Sequence, residues 1–504
     1  MPPRAAVVRV LEHAAAWLAL ACALPVVWEV GSAIAVRLFF PGDIEWMEGA
    51  TLVSAMRARD GLSLYDAPAP EYIPFIYPPL FAWILGGLSH LFPLGYTLGR
   101  TVSIVCTLIA SAALVFGARR EGASWPFSLS LVGLFAACWD DGGTFYDLVR
   151  TDSLSLAIVS WALVLLPVPD RRATLASGLL LALAFTAKQH VALLGIPMVL
   201  WMWQARGRDE ARRFVLASVL PALAFVGVMS AATGGRFFAW LVLVPSKHGM
   251  DADRFFPGAQ LEMWGSLPLT TTAALVLPFW FWRRRYWAGI VAMIFVIVTI
   301  MRGHTGGFLN VLIPSFWVLS LLPAIASQAV GTPMARVVGG VLVAIQLLGW
   351  QLDAGKLLKR LRASQPPSAA WNDSQIRLSR YIPTELSFDQ AKGVVESIRA
   401  LEGRVLIPHA PWYAVMAGKE PSFALICLWD IDYKGGHYRP DVQSIDAAIA
   451  SEFDVAVLPS DSMGHGFKKH YRLDAATRLA GPSTLTGWQV KLRGVYRRVG
   501  DPVD

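Results

Sequence analysis

Three carboxylates fall within six residues in Gly42-Asp43-Ile44-Glu45-Trp46-Met47-Glu48-Gly49. Acids at that density can hold a divalent cation or take a proton from a hydroxyl. Glu45 and Glu48, three apart, share a face if the stretch is helical. The plain alternative is a helix start that recruits acids for its dipole. A second group runs from Cys138-Trp139-Asp140-Asp141-Gly142-Gly143 to Tyr146-Asp147-Leu148-Val149-Arg150-Thr151-Asp152. Its Arg150 offers a partner to a phosphate or a carboxylate, and Asp152 is also placed to cap a helix. In the third, Thr186-Ala187-Lys188-Gln189-His190, a polar break separates two apolar stretches. A lysine there either snorkels to the interface or meets a lipid phosphate as a point charge. The fourth, Met301 to Asn310, sets Arg302, His304 and Asn310 around glycines that let a ligand approach the backbone. The segment Pro245 to Asp251 offers a weaker basic contact through Lys247 and His248.

These groups must be positioned by membrane helices. Of 504 residues, 55% are hydrophobic and only 16% charged, too little charge to cover a soluble protein of this size. The apolar residues come in blocks of bilayer length, and the 20 Trp suit the headgroup level. Eleven spans are expected near 14–38, 99–118, 125–139, 152–168, 173–188, 190–205, 214–232, 264–282, 287–301, 310–327 and 335–352. The first is read as an uncleaved span rather than a signal peptide, since no small-residue cleavage site follows it. Tyr77 to Phe92 is apolar but short and reads as an interfacial helix.

With the N-terminus inside, Arg119-Arg120, Arg171-Arg172, Arg206 to Arg213 and Arg283-Arg284-Arg285 all fall in the cytoplasm, as the positive-inside rule requires. The C-terminus then lies outside, in what reads as a bacterial inner (plasma) membrane. The formal charge of +8 sits mostly in these orienting clusters, which argues against nucleic acid as a partner. Residues 1–354 form the membrane domain on this reading, 355–374 a linker and 375–504 an extracytoplasmic domain. Helical stretches alternating with short apolar runs, such as DAAIASEF before DVAVLPS, make that last domain a small α/β unit. The fold class is thus mainly α, a polytopic bundle with a C-terminal α/β domain. The four cysteines imply neither a disulfide framework nor a metal site.

On this topology all four chemical groups lie on the non-cytoplasmic side. Ionisable residues at a membrane rim are costly and usually serve ions, protons or substrate. Acids and bases together suit an enzyme acting on an anionic lipid-linked substrate. A transporter or lipid flippase would instead place charges near the midplane and show paired repeats, and no repeat is visible. Within the C-terminal domain, Pro408-His409-Ala410-Pro411-Trp412-Tyr413 is either a packed strand-end turn or an acceptor contact.

The order of motifs resembles the C-type (GT-C) membrane glycosyltransferases, in particular the bacterial relatives of protein O-mannosyltransferases and aminoarabinose transferases. The residues that carry the resemblance are the acidic first loop, Gly61-Leu62-Ser63-Leu64-Tyr65, Phe75-Ile76-Tyr77-Pro78-Pro79-Leu80, Tyr146 to Asp152, Phe185 to Gln189, and Gly306 to Asn310. They extend over about residues 10–330. The resemblance implies a polyprenyl-phosphate sugar as donor and an acceptor hydroxyl on a glycan, lipid or protein outside the cytoplasm, with inversion at the sugar. It implies a general base at Asp43 or Glu45, with Glu48 nearby. Family members often carry an adjacent Asp-Glu pair; here Ile44 separates the acids, which leaves the base open between them. The second acidic position falls on Asp152. Arg150, Lys188 and Arg302 are the expected donor-phosphate contacts, and Tyr77, Tyr146, Gln189, His190, His304 and Asn310 the expected pocket. No cofactor is required; a divalent metal, if one binds, would use Asp43, Glu45, Glu48 and Asp152.

Overall fold

The computed structural model describes residues 3–280, 284–352, 378–432, 439–459 and 470–499. The protein is mainly helical. Helix α1 (Pro3–Leu38) is followed by two short helices, α2 (Glu48–Arg59) and α3 (Leu80–Leu88). The bundle continues with α4 (Tyr96–Arg120), α5 (Trp125–Ala137), α6 (Thr151–Leu165), α7 (Arg171–Phe185), α8 (Gly195–Arg206) and α9 (Arg208–Ala232). After a loop come α10 (Ala259–Ser266), α11 (Pro268–Trp280), α12 (Arg285–Gly303), α13 (Ile313–Val330) and α14 (Pro333–Gln351).

Each apolar block read from the sequence is helical. Among the described residues, six helices, α1, α4, α9, α12, α14 and a unit formed by 309–312 with α13, are long and apolar enough to cross a membrane. α5 and α6 are shorter apolar helices. The protein is an integral, multi-pass membrane protein. α3, nine residues long, rises only about 14 Å and cannot span a bilayer.

Local signals set several helix ends. Asp170 accepts the Arg172 amide to start α7, and Thr332 accepts that of Ala335 ahead of Pro333 to start α14. α13 stops at Gly331, whose φ of +76° is open to glycine. α1 packs along α5 and α14 through small residues: a Cβ at Gly340 would lie 3.0 Å from the Ala15 backbone. At the end of the bundle that carries the arginine clusters, Arg284 pairs with Glu121 at 2.8 Å and Arg336 with Glu12 at 2.6 Å. The acid and base groups of the loops gather at the opposite end.

The C-terminal region holds a four-stranded sheet in the order β1 (Val405–Leu406), β2 (Val455–Leu458), β4 (Gly494–Arg498), β3 (Tyr471–Arg478). β1 and β2 are parallel, and the other pairs antiparallel. Its helices are α15 (Glu385–Arg399), α16 (Trp412–Met416), α17 (Leu425–Ile431) and α18 (Arg439–Ser451). Every residue of β2 is buried, as expected of a strand covered on both faces. The linker expected at 355–374 lies outside the described residues. All four cysteines are buried and free.

Candidate active site

The first loop, between α1 and α2, is shaped by a buried ion pair. Arg100 of α4 donates through Nε and Nη2 to the two oxygens of Glu48, at 3.0 and 2.7 Å. Its remaining N–H groups reach the carbonyls of Arg37, Phe40 and Gly42. Glu48 also accepts the amides of Ile44 at 2.7 Å, Glu45 at 3.3 Å and Val149 at 3.0 Å. Burial by itself would raise the Glu48 carboxyl; the Arg100 charge and these donors outweigh it and hold the carboxyl below its ordinary value. The sequence reading grouped Glu48 with the catalytic acids. Both of its oxygens are taken, so it positions the loop instead. Arg37 makes a parallel tie to Asp147 at 2.9 Å, and Asp147 also accepts the indole N–H of Trp139.

This clamp presents the other two acids differently. Glu45 Oε2 accepts the Met47 amide at 3.2 Å and faces Arg150 Nη1 at 3.4 Å. Burial raises its carboxyl to about 7, against the pull of Arg150. That is the protonation behaviour a base needs near neutrality. Asp43 points elsewhere. Its Oδ1 accepts the Gly49 amide and the Tyr96 hydroxyl at 2.8 and 2.9 Å, and burial raises it well above the ordinary carboxylate range. It lines a small recess with His409, Tyr413 and Thr484 on the side of the C-terminal domain.

Residues 485–487 hold Glu45 from behind. The amides of Leu485 and Thr486 donate to Ile44 O at 2.8 and 3.2 Å, and Thr486 Oγ1 donates to Gly143 O. Gly487 must be glycine on two counts. Its φ is +72°, and a Cβ there would stand 2.9 Å from Glu45 Cγ.

Arg150, the residue before α6, sits at the centre. Its guanidinium lies 5.6 Å from the rings of both Tyr77 and Phe145, and Nη2 is 3.5 Å from the Tyr77 hydroxyl. Behind it opens a small cleft lined by Tyr65, Tyr72, Phe75, Tyr77 and Arg150 among others. At the second residue of α6, Asp152 Oδ1 accepts Lys188 Nζ at 2.6 Å and Asn310 Nδ2 at 2.7 Å. Lys188 and His190 line a second recess with Asp152 and Asn310. Gln189 donates to Ile76 O at 3.1 Å, and the Leu80 amide to Thr186 O, so the YPPL segment is tied to the Lys188 break.

The structure thus brings Glu45, Arg150, Tyr77, Asp152, Lys188, Gln189, His190 and Asn310 together and, besides Asp43 and Glu48, sets three further sequence-expected residues apart. Arg302 is engaged bidentately by Glu262 of α10 at 2.7 and 2.6 Å and donates to Gly307 O; an arginine so paired fastens a turn rather than a phosphate. His304 packs on His248, rings 4.8 Å apart, and contacts Pro245 O. Tyr146 stacks on Phe135 and donates to its carbonyl, so it belongs to the bundle core. The Pro408–Tyr413 segment is a packed turn whose His409, Trp412 and Tyr413 are buried.

The sequence assigns no site role to Arg100 or Arg37, whose partners are far along the chain, and in the C-terminal domain it points only to Pro408–Tyr413. Asp430 of α17 is the main residue left out: burial pushes its carboxyl up to about 8, with Arg150 opposing. The only local signal was its place beside Trp429. The four acids named as metal ligands do not converge on one point, since Glu48 faces Arg100 and Asp152 faces Lys188. Among the described residues no cluster of three His, Cys, Asp or Glu is arranged to hold an ion.

Fold and site define a class: a polytopic membrane protein with acid–base pairs in the loops at one end of its bundle and an α/β domain folded against them. Comparison with known proteins agrees. The family described as dolichyl-phosphate-mannose-protein mannosyltransferase matches residues 77–232, a stretch holding Arg150, Asp152 and Lys188. The crystal structure of ArnT from Cupriavidus metallidurans bound to undecaprenyl phosphate is similar, with a TM-score of 0.56 at 15% identity, over 94% of this chain and 98% of that one. Its apo state gives 0.56 at 14%, with the same coverage. A comparison with curated protein sequences gives no match. The GT-C fold expected from the order of motifs is therefore the fold observed.

Proposed function

We propose that this protein is a membrane glycosyltransferase that moves a sugar from a polyprenyl-phosphate donor to an acceptor hydroxyl, with inversion, on the non-cytoplasmic face. The observation that carries this reading is the pairing of Glu45, a buried carboxylate raised to about 7, with Arg150 at 3.4 Å. The mannosyltransferase match supports it, as does the undecaprenyl phosphate bound to the structurally similar ArnT.

Glu45 takes the proton of the acceptor hydroxyl, and that oxygen attacks the anomeric carbon. The bond from that carbon to the phosphate oxygen breaks, and the phosphate leaves with the electron pair. Charge grows on the leaving phosphate, where Lys188 and Arg150 are the cations at hand. Asp152 aims Lys188 and is itself held by Asn310. No covalent intermediate on the enzyme is required. The orientation rests on the arginine clusters, which put the opposite, site-bearing end outside. Residues 375–504 act in this scheme as a domain closing over the site.

The test is transfer from a radiolabelled polyprenyl-phosphate sugar by protein reconstituted in liposomes. Glu45→Gln and Asp152→Asn are each expected to lose at least 100-fold in kcat. Full activity in both variants rejects the mechanism. Lipid translocation by the wild type with no sugar transferred identifies a flippase instead.

A further inference from the structure

Three indoles from distant parts of the chain meet beside Glu45. Trp46 follows it directly, Trp429 lies in α17, and Trp488 follows Gly487, which abuts the Glu45 side chain. Trp488 meets Trp46 edge-on at 5.0 Å and Trp429 at 4.8 Å; Trp46 and Trp429 are 5.8 Å apart. The indoles of the bundle core, such as Trp139 and Trp317, are fully buried. Trp429 and Trp488 remain half-buried. Next to them Asp430, its side chain 13% exposed, has Oδ1 3.7 Å from His248 Nε2 and feels Arg150 from the other side. Two partly exposed indoles thus lie between two carboxyl side chains, one from the first loop and one from the C-terminal domain.

We propose that Trp429, Trp488 and Asp430 form the acceptor subsite and that the acceptor it takes is a saccharide. The proposal rests on the transferase reading, since it names the acceptor of that reaction. A pyranose has a C–H face, which the electron-rich face of an indole attracts, and a rim of hydroxyls. The Asp430 carboxyl beside the ring can exchange hydrogen bonds with those hydroxyls. A few convergent polar groups on an apolar wall is the usual design of a small-molecule site. An acyl chain gains nothing from Asp430. An extended peptide would look for a strand edge to pair with, and this patch is built of side chains. Trp46 adjoins Glu45 in sequence, so a sugar seated on its neighbours brings a hydroxyl to the base.

The experiment is saturation-transfer NMR on the full-length protein in nanodiscs with cello-, malto-, manno- and chito-oligosaccharides and a Ser/Thr-rich peptide as probes. It is paired with the transfer assay and with melting curves. At least one oligosaccharide is expected to receive saturation from the wild type. Trp429→Ala and Asp430→Asn should reduce the signal at least fivefold and raise the acceptor KM at least tenfold, with donor KM within twofold. Trp429→Phe should restore most of the binding, and Lys188→Ala should retain it. The subsite is overturned if no oligosaccharide binds, if binding survives both losses, if the peptide alone binds, or if donor and acceptor KM move together. Sugar transfer without saccharide binding removes this subsite and leaves the transferase reading. Saccharide binding with no donor consumed removes that reading instead.

Discussion

Arg100 places all five of its guanidinium N–H groups, two on Glu48 and three on the carbonyls of Arg37, Phe40 and Gly42. Both partners of this pair are shielded from solvent. Removing one of them strands a buried charge, at a cost of about 3–5 kcal/mol. Arg100→Leu is therefore expected to lower Tm by many degrees and to abolish activity through misfolding of the first loop. Arg100→Lys should not rescue it, because a single ammonium cannot span five acceptors. Thermal unfolding in detergent, followed by size-exclusion fluorescence, reads both outcomes.

Glu45 should set the acidic limb of the pH profile. Raised to about 7 chiefly by burial, it accepts a proton only above that pH, so kcat/KM should rise with pH through an inflection near 7. Its stability contribution has the opposite slope. Between the ordinary value of 4.5 and about 7, the folded protein holds a proton that the unfolded chain lacks, and stability falls as pH rises. Glu45→Gln should flatten that part of the Tm–pH curve. A kcat/KM inflection that stays near 5 in the wild type would remove Glu45 as the base.

Lys188 is held by Asp152 at 2.6 Å and is buried. Lys188→Ala is expected to lower kcat/KM for the lipid donor by about 100-fold, the scale of losing one charge-stabilising donor. Asn310→Ala, which removes one of the two donors holding Asp152 and leaves its pair with Lys188 in place, should lower it less, by roughly tenfold. Steady-state kinetics with a synthetic polyprenyl-phosphate sugar separates them.

Gly487 and Gly61 have similar positive φ, +72° and +70°, but only Gly487 has Glu45 against it. Alanine at either position costs about 1–2 kcal/mol of backbone strain. Gly487→Ala should in addition displace the base and reduce kcat by about 100-fold. Gly61→Ala should leave kcat unchanged. Equal kinetic effects would show that Glu45 is not placed from behind by this turn.

Arg302 tests the division between site and scaffold. Its pairing with Glu262 makes Arg302→Gln a stability variant, with donor KM expected within twofold of the wild type. A tenfold rise in donor KM would return Arg302 to the phosphate site.

The apolar helices, the small sheet-bearing C-terminal unit and the gathering of charge at loop positions were legible in the sequence, because each is a local property. Burial in hydrocarbon needs a window of about 20 apolar residues, and a polar break inside such a window stands out wherever it occurs. Lys188, Asp152 and Arg150 were found in that way. What each charge does was decided by tertiary structure. Asp43, Glu45 and Glu48 are near neighbours in the chain, yet one meets Tyr96, one Arg150 and one Arg100. Arg302 looked like Arg150 until Glu262 was placed against it. In a buried setting the role of a carboxylate follows from the few groups that share its low dielectric, and here those groups come from distant parts of the chain: Tyr96, Arg100 and Arg150 from the bundle, and Gly487 from a C-terminal domain whose own residues carried no recognisable motif. The sequence determined where chemistry was possible; the packing of helices and the docked C-terminal domain decided which acid remained available for it.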